Sequence, residues 1–127
     1  MSTATINDRD VLVRGYDWYD AGPAGRIWRL RQGASLYTWP DGSVAELVIK
    51  SSRGAELLSI DSTGSAGNRL VVSGTDIYPD VVGANTLIDK GTHVYGLKVT
   101  LPDSRTIPLV ARRQIVVVDP IVEGASA

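Results

Sequence analysis

A two-residue alternation of apolar and polar side chains is the feature that most constrains the fold of this chain. The segments SVAELVIK and THVYGLKVTL show it most clearly. Their alternate positions are held by Ala45, Leu47 and Ile49, and by His93, Tyr95, Leu97, Val99 and Leu101. Because successive side chains of a β-strand point to opposite faces, a period of two places each set on one face. Both segments are therefore predicted to be strands with one buried face.

Two further strand segments lie close to the C-terminal end. TIPLVAR places Ile107, Leu109 and Ala111 on one side. Pro108 cannot donate to a strand ladder, so this strand is predicted to lie at a sheet edge or to contain a bulge there. QIVVVD is β-branched on both faces, which is typical of a strand that is covered on both sides.

Turn residues separate the strand segments at short intervals. The turn segments are PDG, SSRG, DSTGSAGN, DKG and PDSR, and further strand candidates are VLVRG, GRIWRLR, AELLSI and RLVVSG. The best helix candidate is DIYPDVVGANTLI, in which Pro79 and Gly83 allow about one short turn near 84–88. About seven to eight strands with scarcely a helix predict an all-β fold, either a β-sandwich or a small barrel.

Composition excludes several function classes. The chain has 127 residues, which suits one domain, and 43% of them are hydrophobic. A net charge of −1 argues against a nucleic-acid binder, which would carry a basic excess. No stretch resembles a membrane span or a signal peptide, so we expect synthesis in a cytoplasm. The absence of cysteine excludes disulfides and thiolate metal sites.

Catalytic constellations are scarce in the sequence. The single histidine, His93, lies in an alternating strand, and we interpret it as a strand or interface residue. Loop carboxylates such as Asp17 and Asp76 are interpreted as turn formers that accept backbone hydrogen bonds. No segment matches a calcium loop or a phosphate-binding loop. We therefore expect no catalytic residues, no metal site and no cofactor.

The aromatic residues carry the alternatives that remain open. Trp28 and Leu30 are predicted to be core residues. Trp18 could cover one end of the sandwich, or it could stack on a sugar or contact a protein neighbour. Candidate interface or loop-aromatic contacts are Tyr16, Trp18, Tyr19, Trp39, Arg112 and Arg113.

Four segments together resemble a known family: VLVRGYDW, RIWRLR, PDGSVAELVIKSSRGAELLSI and LIDKGTHVYGLKVTLPDSRTIPLVARRQIVVVD. They are similar to the Ig-like domains of tailed-bacteriophage virion proteins, in particular the N-terminal domain of baseplate upper proteins and related small tail or fibre proteins. In that pattern an RG pair and an aromatic residue open the first strands. Leu87, Gly91, Tyr95 and Val99 follow the order of a second part of the pattern.

The resemblance implies an Ig-like antiparallel β-sandwich over 10–119, with an N-terminal arm at 1–9 and a C-terminal tail at 120–127. It implies a non-enzymatic virion component that binds other virion proteins and copies of itself through strand edges and terminal arms. Capsid decoration is an alternative place in the virion. A carbohydrate-binding module is a further alternative, which would add glycans as partners. We expect neither nucleic acid nor a membrane as a partner.

Overall fold

The chain folds into β-strands over the part that the structure, a computed structural model, describes, which is residues 9–21 and 24–120. The strands are β1 Arg9–Val13, β2 Arg31–Gln32, β3 Ser35–Leu36, β4 Val44–Lys50, β5 Glu56–Asp61, β6 Asn68–Ser73, β7 Asp76–Val81, β8 Gly91–Thr100 and β9 Thr106–Val118. A 3₁₀ turn occupies Gly83–Asn85. Within the described residues, no helix is long and apolar enough to cross a membrane.

The larger layer is a five-stranded sheet in the order β1-β9-β8-β4-β5. Its strands are antiparallel except that β1 runs parallel to β9, with Arg9 opposite Gln114 and Val13 opposite Val118. The chain thus returns at its end to lie between its first strand and β8. A parallel pair cannot be joined by a hairpin, so the rest of the fold forms the connection between these two strands.

The second layer is built around the β6–β7 hairpin. Single bridges join β7 to the preceding chain, Trp18 to Val81 and Trp28 to Ile77, so that both indoles lie against this layer. A short β2–β3 hairpin follows the second bridge. The predicted strand GRIWRLR is therefore mostly an extended segment with one bridge.

One hydrophobic core fills the space between the two layers. Its members are Leu12, Trp18, Trp28, Trp39, Ala45, Leu47, Ile49, Ile60, Leu70, Ile77, Val81, Tyr95, Leu97, Val99, Ile115 and Val117. Both layers contribute to this set, and the alternating residues of β4 and β8 form its centre. The prediction of an all-β, Ig-like β-sandwich is confirmed, as is the core position of Trp28. Leu30 is half-buried and packs against the core.

The two predicted C-terminal strands are one strand, β9, with two shifts of register against β8. One shift spans Pro108, because Val99 pairs with Ile107 and Leu97 pairs with Val110. The predicted bulge at Pro108 is thus present. Ile115 and Val117 are buried in the core, whereas the residues that alternate with them lie on the outer face of the sheet. Within the described residues, QIVVVD is therefore covered on one side.

The best helix candidate, DIYPDVVGANTLI, forms strand β7 over its first half, and helix was expected in it only as one short turn near 84–88. The alternate residues Ile77, Pro79 and Val81 are buried, as a strand in this layer requires. Ile77 and Val81 donate their backbone N–H groups to Trp28 and Trp18. Pro79 lies between them, where the neighbouring chain loops away, so no backbone carbonyl on that side requires the N–H that proline lacks. The short turn expected near 84–88 is the 3₁₀ turn Gly83–Asn85.

The predicted arm and tail fall almost wholly outside the described residues. Residues 1–8 and 121–127 are not described, and both arms stay predictions. The sandwich itself begins at Arg9, the first residue of β1, and its last strand ends at Val118.

The core predicts that truncating two different leucines has very different effects on the free energy of unfolding. Leu47 on the central strand β4 is fully buried, whereas Leu87 is 61% exposed. We expect Leu47→Ala to lower the free energy of unfolding by about 2–5 kcal/mol through lost burial and a residual cavity. Leu87→Ala, the matched control, is expected to change it by about 0.5 kcal/mol or less. Urea denaturation of both variants checks this, and equal effects would contradict the described core.

Candidate interaction surface

Two of the four candidate aromatic residues are buried. Trp18 is 1% exposed and Trp39 is 4% exposed. The Trp18 ring lies edge-on to Trp28 at 6.1 Å between centroids, and its Nε1 donates to the Ala24 carbonyl. Trp39 lies edge-on to Tyr37 at 5.1 Å. Neither indole offers a face to a sugar, because both are members of the hydrophobic core.

The other two aromatic candidates are on the surface at one end of the sandwich. Tyr16 is 41% exposed and Tyr19 is 43% exposed. The turn that carries Tyr16 is held by the buried Thr86, whose hydroxyl donates to the Tyr16 carbonyl and accepts from the Gly15 N–H. Asp17 accepts from the N–H of Gly83 at 2.8 Å. These bonds fix the turn and leave both phenol rings accessible.

The two candidate arginines have different surroundings. Arg113 is half-buried, and its Nε lies 3.6 Å from Oδ2 of Asp10 on β1. Arg112 is exposed on the outer face of the five-stranded sheet. Its side chain makes no hydrogen bond or ion pair with the described residues. Arg113 thus holds the fold together, and Arg112 remains available to a partner.

Asp10 is the centre of a polar cluster between the two layers. Its side chain is 12% exposed and lies beside two guanidinium groups, with Arg26 Nε at 3.5 Å and Arg113 Nε at 3.6 Å. The Tyr95 hydroxyl donates to Asp10 and accepts from Nε1 of Trp28. Arg26 also lies over the Trp28 ring, 5.6 Å from its centroid. The cluster joins the first strand, both layers and the last strand, since a buried carboxylate needs such partners.

Burial, together with the bond to Asp10, raises the pKa of Tyr95 to about 12. Burial is the larger cause, because it disfavours the charged phenolate. A negative charge on Tyr95 would also lie against the Asp10 carboxylate. The hydroxyl is therefore held in its neutral form, in which it can donate to Asp10.

Asp76 and Asp80 lie in β7 rather than in loops, and both accept hydrogen bonds from arginine side chains. Arg29 bonds Asp76 at 2.7 Å and lowers the pKa of that carboxyl. Arg69 and the Gly67 N–H bond Asp80 and lower its pKa in the same way. Together with Asp17, these residues fix turns and strand ends.

His93 is a buried strand residue of β8, as its position in an alternating segment predicts. It is 8% exposed, and its Nε2 lies 2.7 Å from the Asp89 carbonyl oxygen. In residues 9–21 and 24–120, no three His, Cys, Asp or Glu side chains are grouped closely enough to hold a metal ion.

A groove of about 500 Å³ crosses the outer face of the five-stranded sheet. It lies over β4, β8 and the bulged half of β9, and its floor includes Val48, Val94 and Val110. Gly96 lies opposite Val48 and contributes no side chain, so the floor is open at its middle. The sequence showed the valines but not the groove, because the bulges of β9 that shape it depend on pairing with β8.

The rim of this groove is predominantly basic. It carries Lys50, Lys98, Arg112 and Glu46. Lys98 is paired with Glu46 at 3.8 Å, whereas the side chains of Lys50 and Arg112 have no partner among the described residues. Two uncompensated cations therefore flank an apolar floor.

Comparisons with known proteins add little to this description of the surface. No protein-family model and no curated protein matches the chain. Among solved structures, the chain is similar to CopC from Methylosinus trichosporium OB3b, at 15% identity over 91% of this chain and 88% of that chain. The TM-score is 0.41, which supports no inference about the fold or function of this chain.

The polar cluster predicts a specific cost for removing one hydroxyl. Tyr95 is 2% exposed, and Tyr95→Phe removes one hydrogen bond to Asp10 and leaves the Trp28 N–H without its acceptor. We expect the free energy of unfolding to fall by about 1–3 kcal/mol. Tyr78→Phe is the matched control, because the Tyr78 hydroxyl bonds to none of the described residues. Urea denaturation compares the two, and an equal loss in both would contradict the cluster.

Alkaline titration gives a second test of the same cluster. The pKa of Tyr95 in the folded state, about 12, lies above its ordinary value of 10.0. The neutral phenol therefore contributes stability that is fully present below pH 10 and is lost as pH rises towards 12. The stability difference between the parent chain and Tyr95→Phe is expected to shrink over that window. A constant difference, measured by urea denaturation at pH 8 and pH 11, would contradict the assignment.

Proposed function

We propose that this protein is a non-enzymatic structural subunit of a tailed-bacteriophage virion that binds neighbouring virion subunits. The sequence resemblance supports the virion family, and the surface of the sandwich supports contact with neighbouring subunits. Strand edges, the outer sheet face and the terminal arms are the contact regions.

The observation that carries the proposal is the apolar outer face of the five-stranded sheet. Val11 is 41% exposed and lies in register with Val116, which in turn lies opposite Thr92. Val118 lies opposite Val13 at the end of the same face. Val11 is thus exposed and its valine neighbours are half-buried, and an apolar patch of this kind on a sheet face is typical of a surface that a partner covers.

The two edges of the same sheet differ in how readily they can pair with a strand from a neighbour. At one edge, β1 pairs with only the last five residues of β9 among the described residues, and Pro108 and two bulges occupy the remainder. Such features protect an edge from pairing with other strands. At the opposite edge, β5 carries no proline over Glu56–Asp61, so it can accept a strand from a neighbour.

The carbohydrate-binding alternative loses Trp18 and Trp39, which are buried, and retains only the exposed Tyr16 and Tyr19. Capsid decoration remains an alternative location for the same structural role. The two locations share the same mode of contact and differ only in the partner.

The test is the presence of the chain in purified particles. We expect tryptic peptides of the protein in density-purified virions, at many copies per particle, and gold-labelled antibody on the tail. Label on the capsid would select the decoration alternative. Absence from particles, together with sedimentation as a lone monomer, would overturn the proposal.

A further inference from the structure

The groove on the outer sheet face presents two cations that the described residues do not neutralise. The side chains of Lys50 and Arg112 are exposed, and neither makes a hydrogen bond or ion pair with a described residue. Lys50 lies opposite Val94 in the β4–β8 pairing, whereas Arg112 lies in the bulge of β9 that opposes Gly96. The two cations therefore lie on either side of β8 and two residues apart along it. A strand spacing of about 4.8 Å and a rise of about 3.3 Å per residue place their backbones about 12 Å apart.

Backbone acceptors lie between these cations, at the middle of the groove floor. A Cβ placed on Gly96 would lie 3.3 Å from the Ala111 carbonyl oxygen and 3.4 Å from that of Val110. Because Tyr95 and Leu97 on either side of Gly96 are buried in the core, this Cβ direction is the outer one. The bulge thus brings two carbonyl oxygens beside the part of the floor that no side chain covers.

These features together specify the chemistry of an occupant. The two cations attract carboxylates, the valine floor favours an apolar side chain, and the carbonyl oxygens accept hydrogen bonds from N–H donors. A fatty acid has the carboxylate and the apolar part but no N–H donor. A peptide backbone supplies one N–H at each residue other than proline. The occupant that fits all of these features is a peptide segment.

The separation of the cations sets the pattern of that segment. In an extended chain, residues i, i+2 and i+4 project from one side, and residues i and i+4 are about 13 Å apart. This length matches the separation of Lys50 and Arg112. Acidic residues at i and i+4 can therefore reach the two cations while an apolar residue at i+2 lies over the floor next to Val94.

Charge argues against a second copy of the chain as the source of the segment. A copy packed face to face would place the two cations against themselves, and like charges in an interface are costly. Within residues 9–21 and 24–120, two acidic residues four apart occur only as Asp76 and Asp80. Both carboxylates are already paired with arginines of this chain. The described part of a second copy therefore offers no free segment of this pattern.

We propose that the groove binds an extended, acidic segment of a different protein subunit. Its carboxylates at i and i+4 pair with Lys50 and Arg112, its apolar residue at i+2 packs on the valine floor, and its backbone donates to the carbonyls of the bulge. The inference rests on the proposed function, for which it gives the chemistry of the partner segment and the surface that receives it.

The experiment titrates the full chain with a blocked heptapeptide that carries glutamate at positions 2 and 6, valine at position 4 and serine elsewhere. Amide chemical shifts from two-dimensional NMR report where the peptide binds and how tightly. We expect saturable shifts in β4, β8 and the bulged half of β9, with a dissociation constant of about 1 mM or lower. A peptide with lysine in place of both glutamates, or with the two glutamates adjacent, is expected to bind at least about tenfold more weakly.

A pair of matched variants tests the two cations. The groove variant, Lys50→Gln with Arg112→Gln, is expected to bind the glutamate peptide at least about tenfold more weakly, because it removes both partners of the carboxylates. The control, Arg31→Gln with Arg53→Gln, removes the same charge from two exposed arginines outside the groove. It is expected to bind the peptide like the parent chain. Amide spectra that change only near the substituted residues verify that both variants are folded.

Three results would overturn the inference: no saturable shift in the groove up to about 5 mM peptide, equal affinity for the lysine peptide, or unchanged affinity of the groove variant. Self-association of the parent chain that is lost in the groove variant would also overturn it, because the occupant would then be a second copy.

The failure of this inference is distinct from the failure of the proposed function. If the peptide does not bind while the chain is present in virions, the groove assignment fails and the proposed function stands. If the peptide binds while the chain is absent from virions, the proposed function fails and the peptide-binding groove stands.

Discussion

The packing of the five-stranded sheet against the indole-bearing second layer is the contact on which the rest of the structure depends. Strand alternation sends every second side chain of the larger sheet into this contact, where Leu47, Leu97 and Ile115 are almost completely buried. The same alternation necessarily sends the intervening side chains outward. Residues 9–21 and 24–120 form no third layer over them, so the composition of that outer face reflects what covers or surrounds it.

The first and last strands depend on a buried charge cluster as well as on the core. Asp10 belongs to β1 and faces two arginines, one of them on β9, and it accepts a hydrogen bond from the Tyr95 hydroxyl, which in turn accepts from Nε1 of Trp28. Burial of the Asp10 carboxylate costs free energy unless its partners surround it. The cluster therefore favours the one position of β1 that brings Asp10 to these partners. The first strand is thereby attached beside the last, at the edge of the sheet whose outer face carries the valine row.

Local periodicity was sufficient to predict the strands that alternate strictly, and β4 and β8 are the clearest cases. It was insufficient where long-range pairing decides the conformation. The segment that forms β7 contains Pro79, a residue that argues against a strand, and its acceptance there depends on a loop in the neighbouring chain. Trp18 looked like a loop residue because nothing local shows that its backbone bridges Val81. The groove depends on bulges in β9, which only the register with β8 reveals.

These features combine into one account of how the molecule works. The inner faces supply stability, the charge cluster fixes the first strand, and the outer face carries valines along β1 and β9 and a basic-rimmed groove over β4, β8 and β9. The account assigns contact with neighbouring subunits to that outer face rather than to the loops that carry Tyr16 and Tyr19. A partner at the outer face would also explain why QIVVVD is β-branched on both faces when the described residues cover only one of them.

The most direct test is the chemical accessibility of Lys50 in the free and assembled states. Quantitative acylation of lysines, read by mass spectrometry, compares Lys50 in the groove with Lys90, which lies outside the groove and is paired with Asp119 at 3.0 Å. The account predicts that assembly protects Lys50 and leaves Lys90 reactive. Equal reactivity of Lys50 in the free protein and in the assembly would contradict it.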